Sequence, residues 1–234
     1  MAAAKVNNDT KGPPPLIKTI ITKAASITVN CYLVQVGAGF FLIDTGMALK
    51  RDSLVNELEL AGCQPGNLKL IILTHGDLDH SGNGAFLRQH FGAKIAMHSG
   101  DLANVERGDM FANKKINPIA KGIVKILFSV TRLAAFTTFT PDIFLEDGQS
   151  LDEYGWQATV MHLPGHSKGS IGILTPEGDL FCGDLLENTR KPAVNSLGDD
   201  LDQLKTSAEK LNDFQIKTVY PGHGQAFLLS QLQK

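Results

Sequence analysis

The chain has 234 residues, 43% of them hydrophobic and 20% charged, so it can bury the core of one large domain. Its net charge of −2 provides no general attraction to nucleic acids or anionic membranes. The three cysteines are scattered, and the N-terminal residues lack the apolar stretch of a signal peptide. These features predict a soluble, cytoplasmic protein with no disulfide framework, no nucleic-acid partner and no membrane partner.

The order of predicted elements indicates a layered α/β domain over residues 16–234, after a Gly- and Pro-rich segment at 1–15 that is typical of a flexible lead-in. Runs of β-branched and aromatic residues predict strands over 16–23, 28–36, 40–43, 68–73, 94–97, 143–146, 156–162, 170–175, 179–182 and 217–220. Apolar residues at helical spacing predict helices over 49–61, 84–91 and 200–211.

Residues 99–140 interrupt this alternation and predict a mostly helical insertion. Its apolar stripe includes Ile119 and Ile123, and three cations fall within 116–139, which is too costly for a simple membrane helix. The stripe suits the core, a homodimer surface or a lid over a substrate cleft. These three alternatives stay open.

The segment Thr74-His-Gly-Asp-Leu-Asp-His-Ser-Gly82 carries most of the chemical information in the sequence. It follows a short apolar strand, and its four ligand-type side chains fall within six positions: His75, Asp77, Asp79 and His80. Two imidazoles and two carboxylates at the end of a buried strand are not explained by hydrophobic packing. The segment predicts a metal site, the alternative being a polar surface loop whose aspartates cap the next helix.

Three further candidates follow later strands, each in a glycine-containing turn. His166 lies in a Pro-Gly-His turn, Asp184 follows Gly183, and His223 lies in a second Pro-Gly-His turn. Each alone is a weak signal, because His and Asp are common in turns. Together they place every candidate just past a strand's carboxyl end, where α/β sheets build their sites.

From about Thr28 to Phe227 these patterns resemble the metallo-β-lactamase superfamily, whose signature is His-x-His-x-Asp-His followed by a His, a Gly-Asp and a late Gly-His. The resemblance also covers Asp44, in Leu42-Ile-Asp-Thr-Gly46, as a supporting residue rather than a ligand. It implies a four-layer αββα sandwich with two divalent metals in a cleft at the rim of the sheets. The implied ligands are grouped as His75, Asp77 and His166 for the first metal, Asp79, His80 and His223 for the second, with Asp184 bridging.

One residue departs from the family pattern, because Asp77 stands where the family has its second histidine. Asp77 could ligate directly, bind through a water, or leave the protein effectively mononuclear. A carboxylate makes the site one charge more negative and richer in oxygen than an imidazole would, which shifts its preference from zinc toward iron or manganese. Zinc is ranked first because it is the family's usual metal.

The family resemblance implies a hydrolase that uses a metal-bound hydroxide on a small acyl substrate: an ester, lactone or thioester. Asp79 is the candidate for carrying the proton to the leaving group. Residues 188–200, with Arg190 and Lys191, predict either a substrate-contact loop or an ordinary solvated loop. Two other functions stay open: a non-haem iron protein acting on oxygen or sulfur compounds, and a non-catalytic, metal-stabilised binding module.

Overall fold

The computed structural model describes residues 15–24, 27–108 and 136–232, and in these ranges strands alternate with short helices. The strands are β1 (Leu16–Ala24), β2 (Ile27–Val36), β3 (Gly39–Ile43), β4 (Leu68–Ile72), β5 (Lys94–Met97), β6 (Ile143–Phe144), β7 (Thr159–His162), β8 (Ile171–Leu174), β9 (Asp179–Gly183), β10 (Leu186–Glu187), β11 (Ala193–Val194), β12 (Thr218–Pro221) and β13 (Phe227–Leu228). The α-helices are α1 (Arg51–Leu60), α2 (Leu78–Ser81), α3 (Gly84–Phe91), α4 (Leu102–Arg107) and α5 (Leu201–Lys210).

Two main sheets organise these elements. The first has the order β1-β2-β3-β4-β5-β6, in which β3 to β6 run parallel, and the second has the order β13-β12-β9-β8-β7. In the second sheet β9 and β12 are parallel, and β7 shares their direction because β8 is antiparallel to both β7 and β9. The carboxyl ends of β3, β4 and β5 therefore lie at one edge of the first sheet, and those of β7, β9 and β12 at one edge of the second.

Three buried clusters separate four layers. One lies between the first sheet and helices α1, α3 and α4, a second between the two sheets, and a third between the second sheet and α5. Along β3, Leu42 faces the helices whereas Phe41 and Ile43 face the other sheet, so the strand is apolar on both faces. The predicted four-layer αββα architecture is confirmed.

The predicted elements differ from the observed ones in a few places. Strand β7 begins at Thr159 rather than at residue 156, because Trp156 lies in an irregular segment and fills the space between the sheets. Leu78–Ser81 forms one helical turn inside the segment predicted as a loop. Short strands β10 and β11 pair within and beside the loop predicted at 188–200.

Two predicted regions fall largely outside the described residues. These are the lead-in at 1–15, of which only Pro15 is described, and the central part of the 99–140 insertion, at 109–135. The described start of that insertion holds a 3-10 turn, Ser99–Asp101, and α4. Among the helices of the described ranges, none is long and apolar enough to cross a membrane.

We expect Trp156→Ala to lower the free energy of unfolding by about 3–5 kcal/mol, because it removes a buried indole that packs 5.1 Å from the Phe41 ring between the sheets. Leu60→Ala is the control, since that side chain is 72% exposed on α1 and its loss should change stability by no more than about 0.5 kcal/mol. Urea unfolding measures both. Equal effects of the two substitutions would contradict the assignment of Trp156 to the core between the sheets.

Candidate metal centre

All seven side chains that the sequence singles out lie together where the two sheet edges meet. Each follows the carboxyl end of a strand: four after β4, and one each after β7, β9 and β12. Their ligand-type atoms form three overlapping triads in which all atoms lie within 4.8 Å of one another. These triads are His75–Asp77–His166, Asp79–His80–His223 and His75–His80–Asp184.

Asp184 lies between the histidines of the first two triads. One carboxylate oxygen is 3.4 Å from His80 Nε2, and the other is 3.2 Å from His223 Nε2 and 3.8 Å from His166 Nε2. The absence of a side chain at Gly222 leaves room for the Asp184 carboxylate, since a Cβ there would lie 2.2 Å from Asp184 Oδ1. Asp184 therefore contacts imidazoles of both of these triads.

The orientation of the four imidazoles is set by hydrogen bonds at their Nδ1 atoms. Each Nδ1 faces a protein oxygen: Thr74 Oγ1 for His75 (3.0 Å), Asp44 Oδ2 for His80 (2.8 Å), Leu197 O for His166 (2.9 Å) and Thr28 O for His223. Because carbonyl and carboxylate oxygens only accept, the last three Nδ1 atoms carry the proton. The Thr74 hydroxyl donates to Asp44 Oδ2 at 2.8 Å, so its oxygen accepts from His75 in the same way.

The Nε2 atoms of all four rings are consequently directed into the cluster. His75 Nε2 is buried and has no hydrogen-bond partner among the described residues. A metal ion satisfies such an atom, and hydrogen bonds from the opposite ring nitrogen to oxygen are the usual support of metal-bound imidazoles. The residues present therefore fit a metal centre.

Electrostatics favour positive charge at the same place. Burial alone lowers the pKa of His80, but the Asp184 and Asp44 carboxylates outweigh burial and raise that pKa to about 10. Burial, reinforced by the His80 and His166 imidazoles, holds the pKa of His75 well below its ordinary value, which keeps His75 in the neutral form that binds metals. A field that retains a proton on His80 also favours a bound cation.

Asp44 supports the centre from the end of β3. Its Oδ1 accepts the Thr74 backbone N–H at 2.8 Å, and its Oδ2 accepts from both Thr74 and His80. Its φ of +59° is the only positive value among non-glycine residues in the described chain, and such conformations persist where the surroundings enforce them. Asp44 thus fixes the loop after β4 and the His80 ring together.

The turn that carries His223 is held by β2. Asn30 Nδ2 donates to Pro221 O at 2.9 Å and to Gly224 O at 2.7 Å, on either side of His223, and the Tyr32 hydroxyl donates to Pro221 O at 2.6 Å. Sequence reasoning did not single out Asn30 or Tyr32. Their only signal was an amide and a tyrosine hydroxyl within a predominantly apolar strand.

One side of the cluster is open. The side chains of Asp79 and His223 are 19% and 18% exposed, whereas the other five are at most 8% exposed. Among the seven side chains, those of Asp79 and His223 are therefore the most accessible to solvent. The segment between β11 and α5 borders the cluster, since Leu197 O accepts a hydrogen bond from His166 Nδ1.

A family model described as the metallo-beta-lactamase superfamily matches residues 27–223. The chain belongs to this superfamily. It is 34% identical over 148 residues to hydroxyacylglutathione hydrolase GloC of Haemophilus influenzae, a match that spans 62% of this chain and 60% of that protein. It is 28% identical to acyl-coenzyme A thioesterase MBLAC2 of Gallus gallus, over 88% of this chain and 76% of that protein.

Among solved structures, TTHA1623 in a di-iron-bound form is similar to this chain. The two are 28% identical with a TM-score of 0.66, over 91% of this chain and 96% of that one. The chain spans less than two thirds of GloC, so that enzyme's name by itself does not assign a substrate here.

We expect Asp44→Asn to lower the pKa of His80 in the metal-free protein by about one to three pH units, because one of the carboxylates that stabilise the imidazolium is lost. Histidine NMR signals followed against pH measure the change. Asp142→Asn is the control, since that carboxylate accepts the Ile95 N–H away from the cluster. A His80 pKa that is the same in wild type and Asp44→Asn would refute the role given to Asp44.

Proposed function

We propose that the protein is a metal-dependent hydrolase of small acyl substrates, with thioesters as the first class to test. The observation that carries this proposal is the convergence of four Nε2 atoms and three carboxylates at one edge of the two sheets. The names of the relatives support the thioester class, because hydroxyacylglutathione and acyl-coenzyme A are both thioesters.

The geometry suggests how the ligands would be shared between two ions. His75, Asp77 and His166 would hold one, Asp79, His80 and His223 the other, and Asp184 would contact both. When bound, divalent ions polarise the acyl oxygen and acidify a water for attack on the carbonyl carbon. Zinc stays first in the proposal as the family's usual metal, and iron is supported by the di-iron form of TTHA1623.

Asp79 is the proposed proton carrier. Its carboxylate lies 3.7 Å from His223 Nε2 on the open side of the cluster, where a substrate's leaving group would lie. Burial raises its pKa despite the opposing influence of the His80 imidazole, and a raised pKa suits a carboxylate that takes up a proton and passes it on. In a thioester the acceptor of that proton is the departing thiolate sulfur.

We expect the metal-loaded protein to hydrolyse a hydroxyacylglutathione or an acyl-coenzyme A, and Asp184→Asn to lower kcat/KM at least about 100-fold because the shared carboxylate is lost. Release of free thiol, followed by absorbance, measures the rate. Asp179→Asn is the matched control, since Asp179 lies at the opposite end of the same strand. A metal-loaded protein that turns over no thioester, ester or lactone would contradict the hydrolase proposal and favour the binding module.

Asp77 supports a second candidate, a non-haem iron protein acting on oxygen or sulfur compounds. Although Asp77 is the N-cap residue of α2, its side chain makes no capping hydrogen bond, and its Oδ2 lies 3.4 Å from His166 Nε2 inside the cluster. These two observations favour direct ligation over the helix-capping alternative. An oxygen ligand here suits iron or manganese better than an imidazole does.

We expect Asp77→His to shift the metal content toward zinc when the protein is produced with zinc, iron and manganese all supplied. Elemental analysis of purified protein measures the zinc-to-iron ratio. Asp52→His serves as the control, because it adds an imidazole on the exposed face of α1. An unaltered ratio would mean that Asp77 does not touch the metal, and iron with oxygen consumption in the wild type would favour the iron protein.

A further inference from the structure

A buried carboxylate outside the seven candidate ligands connects two of the loops that carry them. Asp101 is fully buried, and its Oδ2 accepts both the Gly76 N–H at 2.9 Å and the Ser167 hydroxyl at 2.6 Å. Its Oδ1 accepts the Gly169 N–H at 2.8 Å. A single oxygen atom therefore joins the loop after β4 to the turn after β7.

The partners of Asp101 are neighbours in sequence of one particular set of ligands. Gly76 stands between His75 and Asp77, and Ser167 follows His166. These three ligands are the His75–Asp77–His166 triad, whereas none of the hydrogen bonds described for Asp101 involves a residue beside Asp79, His80 or His223.

The ordinary role of an aspartate at this position does not account for these contacts. Asp101 is the N-cap residue of α4, where a carboxylate usually accepts hydrogen bonds from the first turn of the helix. Its side chain makes no such bond, and the carboxylate faces the two loops instead. The Asp101 carboxylate therefore anchors the two loops, through two N–H groups and a hydroxyl, instead of capping α4.

Close packing at two glycines leaves no room for a larger side chain between these loops and the Asp101 segment. A Cβ at Gly169 would lie 2.6 Å from Asp101 N, and one at Gly76 would lie 2.7 Å from Asn104 Cβ. Ser170 adds a further link, because its Oγ accepts the Ser167 N–H at 3.0 Å and lies 2.7 Å from Ser167 Oγ. Asp101 therefore joins the two loops at their side-chain level, beside a direct backbone hydrogen bond from Ile171 N–H to Thr74 O at 2.8 Å.

We propose that Asp101 is a positioning residue for the first metal: it fixes the distance between His75 and Asp77 on one loop and His166 on the other, and so determines the affinity of that site separately from the second. This inference rests on the proposed dinuclear centre. Asp101 is not a ligand and acts through Gly76 and Ser167. Its removal affects one metal, not both.

Asp101→Asn tests the inference with little change of volume. An asparagine retains one oxygen. If its amide nitrogen takes the place of Oδ2, it faces the Gly76 N–H and the link between the two loops is broken; if it takes the place of Oδ1, the turn after β7 loses the Gly169 bond and retains only the Ser167 bond. The measurement is titration of the chelated protein with Zn²⁺ alone, in competition with a chromophoric chelator, which yields two dissociation constants. We expect one constant to rise about 10- to 100-fold and the other to stay unchanged.

Double variants identify the affected site. Added to His223→Ala, which leaves only the first site, Asp101→Asn should weaken the remaining zinc about 10- to 100-fold. Added to His166→Ala, which leaves only the second site, it should have no effect. Asp142→Asn, which alters an exposed carboxylate that also accepts a backbone N–H, should change neither constant.

The outcomes separate this inference from the proposed function. Two zinc ions in the wild type, with both constants raised equally or neither raised by Asp101→Asn, would overturn the positioning role and leave the proposed centre intact. A wild type that binds no zinc, iron or manganese would overturn both. If Asp101→Asn does not fold, Ser167→Ala carries the same test, with a smaller loss expected at the same site.

Discussion

Three carboxylates, Asp77, Asp79 and Asp184, share imidazole neighbours at the meeting edge of two sheets: Asp77 and Asp184 both lie within 4 Å of His166, and Asp79 and Asp184 both lie within 4 Å of His223. Their negative charges favour positive charge between them. Water cannot screen these charges well, because Asp77 and Asp184 are buried. In the metal-free protein part of the charge comes from protonated imidazole, as the raised pKa of His80 indicates. The imidazoles around these carboxylates are also metal ligands, so bound cations could supply the positive charge in place of these protons.

The parts of the fold that follow from local sequence pattern were predictable. Apolar runs such as Leu68–Ile72 read as buried strands whatever their partners, and polar side chains after such runs marked the site edge. Trp156 was misassigned to a strand because its aromatic character suits a strand as well as it suits a loop that closes a core. Strands β10 and β11 are two residues long and are defined by the pairing of Leu186 with Val194 and of Glu187 with Ala193, which no local pattern encodes.

The candidate site shows the same division between local and long-range information. The seven side chains that meet in it were identifiable because each combines a ligand-type residue with a strand end and a glycine. Asp101 satisfies nearly the same rule, since it follows β5 after Gly100, but it falls where the helical pattern of residues 99–140 begins. Its role depends on contacts to Gly76 and Ser167, which are 25 and 66 positions away in the chain.

The two halves of the candidate centre come from different sheets. The loop after β4 in the first sheet supplies His75, Asp77, Asp79 and His80, whereas the second sheet supplies the other three side chains. Ions held by such a set would link the two sheets and would be released when the sheets separate on unfolding. Because an ion that binds only the native state stabilises it by mass action, the melting temperature of such a protein would report the free metal concentration of its surroundings.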